Sequence, residues 1–378
     1  MNIRESRILF LKLLRSALWG SPVDGVTSQE ELMAAVRHAK AQSVLGLVAD
    51  VILADENLYS VLSDDQRRKL KHFVIGNFST SQMLNNALVN VVDALRQNGV
   101  DPVLLKGQGI AKYYPKPELR QCGDIDIYVG QDNFQLTCEV IGAMSSDKDK
   151  EGDIPSTKHY HTRVGKAFFE IHRYTDVYFP PRLDRIYQRI SDEGMSKDLV
   201  ILDFAGVPVL TPSIDFNVFF IFNHFWHHFI ADGVGLRQIC DWVLLLHHNY
   251  GKVDLNYLES VLCDMKLMKQ WKVFGNIAVD VLGLPQNEMP FYDARYKDLS
   301  EKVLDLIMIE GNFGMENLKD YKRPEGYVAG KLYSLSKRMQ RNFRVFRLFP
   351  RDALMHLGKV FCWGIAAVFN DKFKLDED

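Results

Sequence analysis

The segment Gly123-Asp124-Ile125-Asp126-Ile127-Tyr128-Val129 constrains this chain more than any other. Its strict alternation of polar and apolar residues predicts a β-strand, whose side chains repeat every two residues. Asp124 and Asp126 must then project from one face, while Ile125, Ile127 and Val129 enter a core on the other. Two carboxylates one strand-step apart repel each other unless a cation lies between them. Hard oxygen ligands in that arrangement suit Mg²⁺ or Mn²⁺ completed by phosphate and water. Such a triplet alone is more often a solvated strand face, so the neighbouring segments decide the reading.

Upstream, the apolar run Val103-Leu104-Leu105 meets Lys106-Gly107-Gln108-Gly109 and then a helix-like piece. A turn of that kind offers backbone N–H groups, a helix start and the Lys106 charge to an anion, although a turn lysine is commonly just solvated. Downstream, Phe168-Phe169-Glu170-Ile171-His172 places Glu170 and His172 on one strand face, opposite Phe169 and Ile171. Glu170 thus becomes a third carboxylate for the same site. The expectation is a metal-dependent phosphoryl-transfer layout with Asp124, Asp126 and Glu170 as catalytic and metal-binding residues.

The rest of the 378-residue chain frames that segment. Its 46 Lys and Arg nearly balance 48 Asp and Glu, which gives no electrostatic footprint for bulk nucleic-acid binding. With 47% hydrophobic residues the chain can bury a sizeable core, and disorder is excluded. Five scattered cysteines, with no CxxC pair, support neither a disulfide framework nor a zinc ribbon. The charged N-terminus does not resemble a signal peptide, and Val218 to Ile230 is too short to span a bilayer, so a cytoplasmic protein is expected.

The predicted fold class is α+β: a helical segment over 1–98, a small mixed-sheet core over 99–210, and a helical domain over 211–378. Thr27 with Glu30 predicts a capping box, and residues 131–144 read as a helix. Residues 145–157 read as a polar loop, whereas 158–164 with 167–174 and 200–210 read as two hairpins turning at Gly165-Lys166 and Ala205-Gly206. Helical stripes are expected at 215–230, 236–248, 257–282 and 297–309.

The order of these motifs resembles the DNA polymerase β-type nucleotidyltransferase superfamily. More narrowly, it resembles the uncharacterised group called nucleotidyltransferase family 5. The matching residues are Val103 to Gly107, Arg120, Gly123 to Asp126, Glu170 with His172, and further on His224, Gly235, Leu236, Arg237 and Asp241. The resemblance covers about Leu9 to Leu246. It implies a nucleotidyl transfer from an NTP, ATP first, to a sugar, glycan, peptide or protein hydroxyl, assisted by two Mg²⁺ ions. In that scheme Lys106, Gly107, Gln108, Arg120 and Gly123 bind the nucleotide, and His172, His224, Arg237 and Asp241 face the cleft. The usual glycine-serine pair of the superfamily is replaced here by Lys106-Gly107-Gln108, and Glu170 stands where many members have Asp. A silent nucleotide-binding or partner-binding module of the same fold is the alternative.

Several weaker signals carry two readings each. Arg120 either binds phosphate or, buried, orders the Asp124 strand. His224 and His228 have a zinc-compatible spacing on one helix, but no third ligand is evident. Arg237 and Asp241 either pair along their helix or act together at the nucleotide. The stretch 327–351 is basic and aromatic with no acid, which fits a polyanion or membrane surface, or plainly a solvated helix face covering the core.

Overall fold

The computed structural model describes residues 3–25, 28–145, 158–312, 314 and 327–361. Five helices come first: α1 (Ile3–Trp19), α2 (Gln29–Ala41), α3 (Leu45–Ala54), α4 (Glu56–Val61) and α5 (Asp64–Gln97). The cap of α2 is Ser28, whose side chain accepts from Glu31 N, and the predicted Thr27 lies outside the described residues. A capping box does occur, but at α5, where Ser63 and Gln66 satisfy each other's backbone N–H groups.

The α+β core follows as β1 (Val103–Leu104), α6 (Gln108–Ala111), β2 (Asp124–Tyr128), α7 (Gly130–Met144), β3 (His159–Val164) and β4 (Ala167–His172). After α8 (Pro181–Gly194) come β5 (Val200–Phe204) and β6 (Val207–Thr211). Together the strands form one six-stranded mixed sheet in the order β3-β4-β2-β1-β6-β5. Both predicted hairpins form, with Val164 opposite Ala167 and Phe204 opposite Val207. The second turns through Ala205 and Gly206, both at positive φ, as a two-residue loop matching strand twist requires. Most of the predicted 145–157 loop falls on 146–157, outside the described residues.

The remaining helices are α9 (Ile214–Ala231), α10 (Leu236–His248), α11 (Leu255–Asp264), α12 (Met268–Asn276), α13 (Lys297–Glu310) and α14 (Tyr327–Phe346), with a further helix at 350–361. The single helix expected over 257–282 is broken. Lys266 adopts a positive φ of 58°, which ends α11, and 277–281 widens into π turns.

Two apolar cores organise these elements. In one, the distal half of α5 (Leu84, Leu88, Val91) packs on the apolar sheet face made by Ile125, Ile127, Phe169 and Ile171. In the other, α1 to α3 share a single core with α9, α10, α12 and α13, through residues such as Phe10, Leu14, Val48, Phe222, Trp242 and Trp271. The first and last helical segments are thus one packed body. The opposite, polar face of the sheet looks toward α9 and α10.

The 327–351 stretch divides by face. Val345 and Phe349 enter the helical core, and Phe349 meets Trp226 edge-on at 4.9 Å. Arg341 is buried against Glu310 at 2.9 Å, whereas Phe343 and Phe346 are exposed. Among the described residues no helix is long and apolar enough to cross a membrane.

Candidate active site

Strand register builds the site. Parallel pairing of β2 with β4 sets Asp126 beside Glu170 and Tyr128 beside His172, so Asp124, Asp126, Glu170 and His172 share one sheet face. Antiparallel pairing of β3 extends that face with His161 opposite Glu170 and His159 opposite His172. Asp124, Asp126 and Glu170 border a cleft of about 630 Å³, including open solvent, between the sheet and α9 and α10; its lining also includes Lys106, His224 and Arg237.

Asp126 is the centre. It is fully buried, and its Oδ1 lies 3.0 Å from Lys106 Nζ and 3.0 Å from His172 Nε2. Its Oδ2 is buried with no hydrogen-bond partner among the described residues. Burial alone would favour the acid, but the Lys106 ammonium and the His172 hydrogen bond outweigh it and hold Asp126 well below the usual carboxylate range. Asp126 is therefore an ionised, desolvated carboxylate with one oxygen that no described residue pairs. Asp124 shifts the other way, raised first by the charge of Asp126 and then by its own burial.

Lys106 completes a chain of polar groups. Burial opposes its charge, but Asp126, Glu170 and Asp124 raise its pKa above the ordinary lysine value. Its Nζ lies 3.1 Å from His224 Nε2, which lies 3.1 Å from His228 Nε2. Burial and the Lys106 charge keep both imidazoles neutral, His224 well below its usual value and His228 at about 3. The histidine pair expected on one face of α9 is real, but its neighbour is an ammonium rather than a metal-ligand set.

Gly107 makes the turn possible. It sits at φ 61°, and a Cβ there would come 3.4 Å from the Asp124 carbonyl oxygen, so the turn approaches β2 closely. The helix after it, α6, is a single turn of four residues. It offers little of the dipole the sequence suggested, so the positive charge at this turn comes from the Lys106 side chain. Gln108 turns away from the cleft and donates toward Ser81 and Asn85 of α5.

Arg120 and Asp241 form the second buried charge cluster along the cleft wall. Arg120 donates Nε to Asp241 Oδ1 at 2.7 Å and Nη2 to Oδ2 at 2.6 Å, and Tyr114 OH donates to Oδ1 at 2.7 Å. The pKa of Arg120 is raised well above its usual value, because Asp241 overcomes the effect of burial. Asp241 pairs with Arg120 and not along its helix with Arg237. Arg237 instead donates Nη1 to the Gln121 carbonyl at 2.6 Å, with its Nε buried and without a hydrogen-bond partner among the described residues. It lines the cleft together with Gly107 and Gly123.

The structure thus brings Lys106, Gly107, Arg120, Gly123, Asp124, Asp126, Glu170, His224, Arg237 and Asp241 around one space, with His172 holding Asp126 from behind and Gln108 outside. Three groups escaped the sequence reading. Tyr114 completes Asp241 across 127 residues of chain, which no local pattern signals. His159 and His161 were legible as alternate residues of a strand, but their facing of Glu170 depends on register. Burial lowers His159 to about 4 against the pull of Glu170.

No curated protein matches the sequence. An antigenic nucleotidyltransferase-like protein from Paracoccidioides brasiliensis superposes at a TM-score of 0.33 and 11% identity, over 56% of this chain and 95% of its own. At that distance neither fold nor function transfers. The family described as "Uncharacterised nucleotidyltransferase" matches residues 28–280, which span β1 to β6 and the flanking helices α9 and α10. With that match over most of its length, and the paired aspartates inside it, the chain belongs to this family of nucleotidyltransferases.

Proposed function

We propose that the protein moves a nucleotidyl group from an NTP, with ATP the first candidate, to a hydroxyl acceptor such as a sugar, glycan, peptide or protein side chain. The observation that carries this reading is the Asp126 Oδ2 atom, ionised, buried and unpartnered, in a cleft shared with Asp124 and Glu170. That oxygen with the two neighbouring carboxylates fits Mg²⁺ or Mn²⁺ held by Asp124, Asp126 and Glu170. When bound, such ions neutralise the phosphates and favour in-line displacement at the α-phosphorus.

The chain's own groups supply the rest. Lys106 remains protonated and, with Arg237 and the Gly107 backbone, attracts the triphosphate. His172 fixes the Asp126 carboxylate through Oδ1 and leaves Oδ2 for the cation. Glu170 accepts the proton of the acceptor hydroxyl as its oxygen bonds to phosphorus and pyrophosphate departs. Arg120 and Asp241, saturated by each other and by Tyr114, hold the wall against which the nucleotide lies.

The test is incubation of the full chain with each labelled NTP, Mg²⁺ or Mn²⁺, and cell lysate. The expected result is transfer to a discrete acceptor, reduced roughly 10²- to 10³-fold in Asp126→Asn. Equal transfer by that variant would remove the site assignment. NTP binding without any transfer would carry the silent-module alternative, which the compensation of Asp126 by Lys106 favours.

A further inference from the structure

We propose that His159, His161 and Glu170 form a site for a zinc-class transition-metal ion, separate from the oxygen-rich position at Asp124 and Asp126. Residues 159 and 161 alternate along β3 and therefore share a face, and register sets His161 directly opposite Glu170 on β4. Glu170 Oε1 lies 3.4 Å from His159 Nδ1 and 3.6 Å from His161 Nε2. All three donor atoms fall within 4.8 Å of one another.

Those separations are informative. They are longer than the usual N–H···O hydrogen bond of about 2.9–3.0 Å. A tetrahedron with legs of about 2.0–2.1 Å, the zinc–nitrogen and zinc–oxygen distances, has edges of about 3.3–3.4 Å. The Glu170–His159 distance therefore matches one edge of an ion's coordination shell, and the Glu170–His161 distance is about 0.2 Å longer than one. His161 Nε2 is a buried atom with no hydrogen-bond partner among the described residues, so one donor already points inward unsatisfied. The two imidazoles lie stacked with centroids 4.5 Å apart and are each about one-third exposed, which leaves an entry path from solvent.

Donor chemistry separates this position from its neighbour. Two imidazoles and one carboxylate suit Zn²⁺, Co²⁺ or a similar ion, whereas Mg²⁺ prefers oxygen alone. The other histidine-containing set, Asp126, Glu170 and His172, already has the Lys106 ammonium on Asp126 Oδ1. Glu170 is common to both positions, so an ion on the histidines would hold in place the carboxylate that the proposed transfer uses. The site itself does not depend on nucleotidyl transfer, because it is read without nucleotide.

The experiment is calorimetric titration of Zn²⁺ into the metal-stripped full chain, with Co²⁺ absorption as the signature of nitrogen ligation in a tetrahedral field. One equivalent should bind, His159→Ala and His161→Ala should each weaken it roughly 10- to 100-fold, and Asp124→Asn should leave it unchanged. The more conservative His161→Gln, checked by circular dichroism, should show the same loss with the fold intact. Wild-type affinity in the histidine variants, or no Zn²⁺ binding at all, would overturn the site. So would affinity lost in Asp126→Asn and kept in His161→Ala, which would move the ion into the cleft. Zn²⁺ bound as expected by a protein that transfers no NTP would sink the proposed function and leave this inference standing.

Discussion

Two buried charge clusters line the same cleft, and they differ in how completely they are satisfied. Around Asp241, both oxygens are taken by Arg120 in a bidentate pair, and Tyr114 adds a third bond. Around Asp126, Lys106 and His172 crowd onto one oxygen, and among the described residues the other has no partner. A buried charge costs several kcal/mol to desolvate, so it persists only when compensated. Compensation from within the chain marks a cluster that serves the fold; an ionised oxygen left over is what the proposed cation would pair with.

The largest expected effects cross between the two. Asp241→Ala strands Arg120 without its carboxylate and should lower the free energy of unfolding by about 3–5 kcal/mol, read by urea denaturation. Asp126→Asn should lower Mg²⁺-dependent turnover by the same roughly 10²- to 10³-fold, with a much smaller loss of stability, because Lys106 keeps Asp124 and Glu170 nearby. Equal destabilisation by the two variants would erase the distinction. Next in size, Tyr114→Phe removes one of the three bonds to Asp241 and should cost about 1 kcal/mol while NTP binding is kept. A Tyr114→Phe protein that no longer bound NTP would move that cluster from the fold to the site.

The smallest effect is a pH dependence. The pKa of Asp124 is raised on folding, so its contribution to stability is present below its unfolded pKa and lost as pH rises through the folded one. The ion-free protein therefore carries a penalty at neutral pH that a divalent cation should relieve. Mg²⁺ should raise the thermal midpoint more at about pH 7 than at about pH 4, near the unfolded carboxylate value. Asp126, depressed, contributes stability above its unfolded pKa and loses it only at far lower pH, so it adds no transition in this window. A Mg²⁺ shift of the same size at both pH values would separate Asp124 from the cation.

Much of this was legible in the residues. The Asp124 to Val129 alternation, the two hairpin turns and the long apolar stripes of α9 and α10 are local patterns, and local patterns survive into the fold. What was not legible depends on distance along the chain. Arg120 lies 121 residues from Asp241, and Lys106 lies 118 from His224. Periodicity cannot choose between an Arg237 that pairs four residues on and one that turns back to the Gln121 carbonyl. Gln108 looked like part of the phosphate turn because its neighbours are; only the position of α5 draws its side chain away. The break between α11 and α12 rests on the positive φ of Lys266, a non-glycine residue that gives no warning.

The shared core of the first and last helices also bears on synthesis. Trp19 donates to the carbonyl of Leu282, Arg15 to that of Val281, and Arg7 pairs with Asp305, over separations of 263 to 298 residues. A ribosome that has just released α1 must add most of the remaining chain before those partners exist. Until then α1 has only α2 and α3 to pack on, and the core that these helices share with α9, α10, α12 and α13 stays open, which makes the early helices natural clients for chaperones and an unsuitable fragment to express alone.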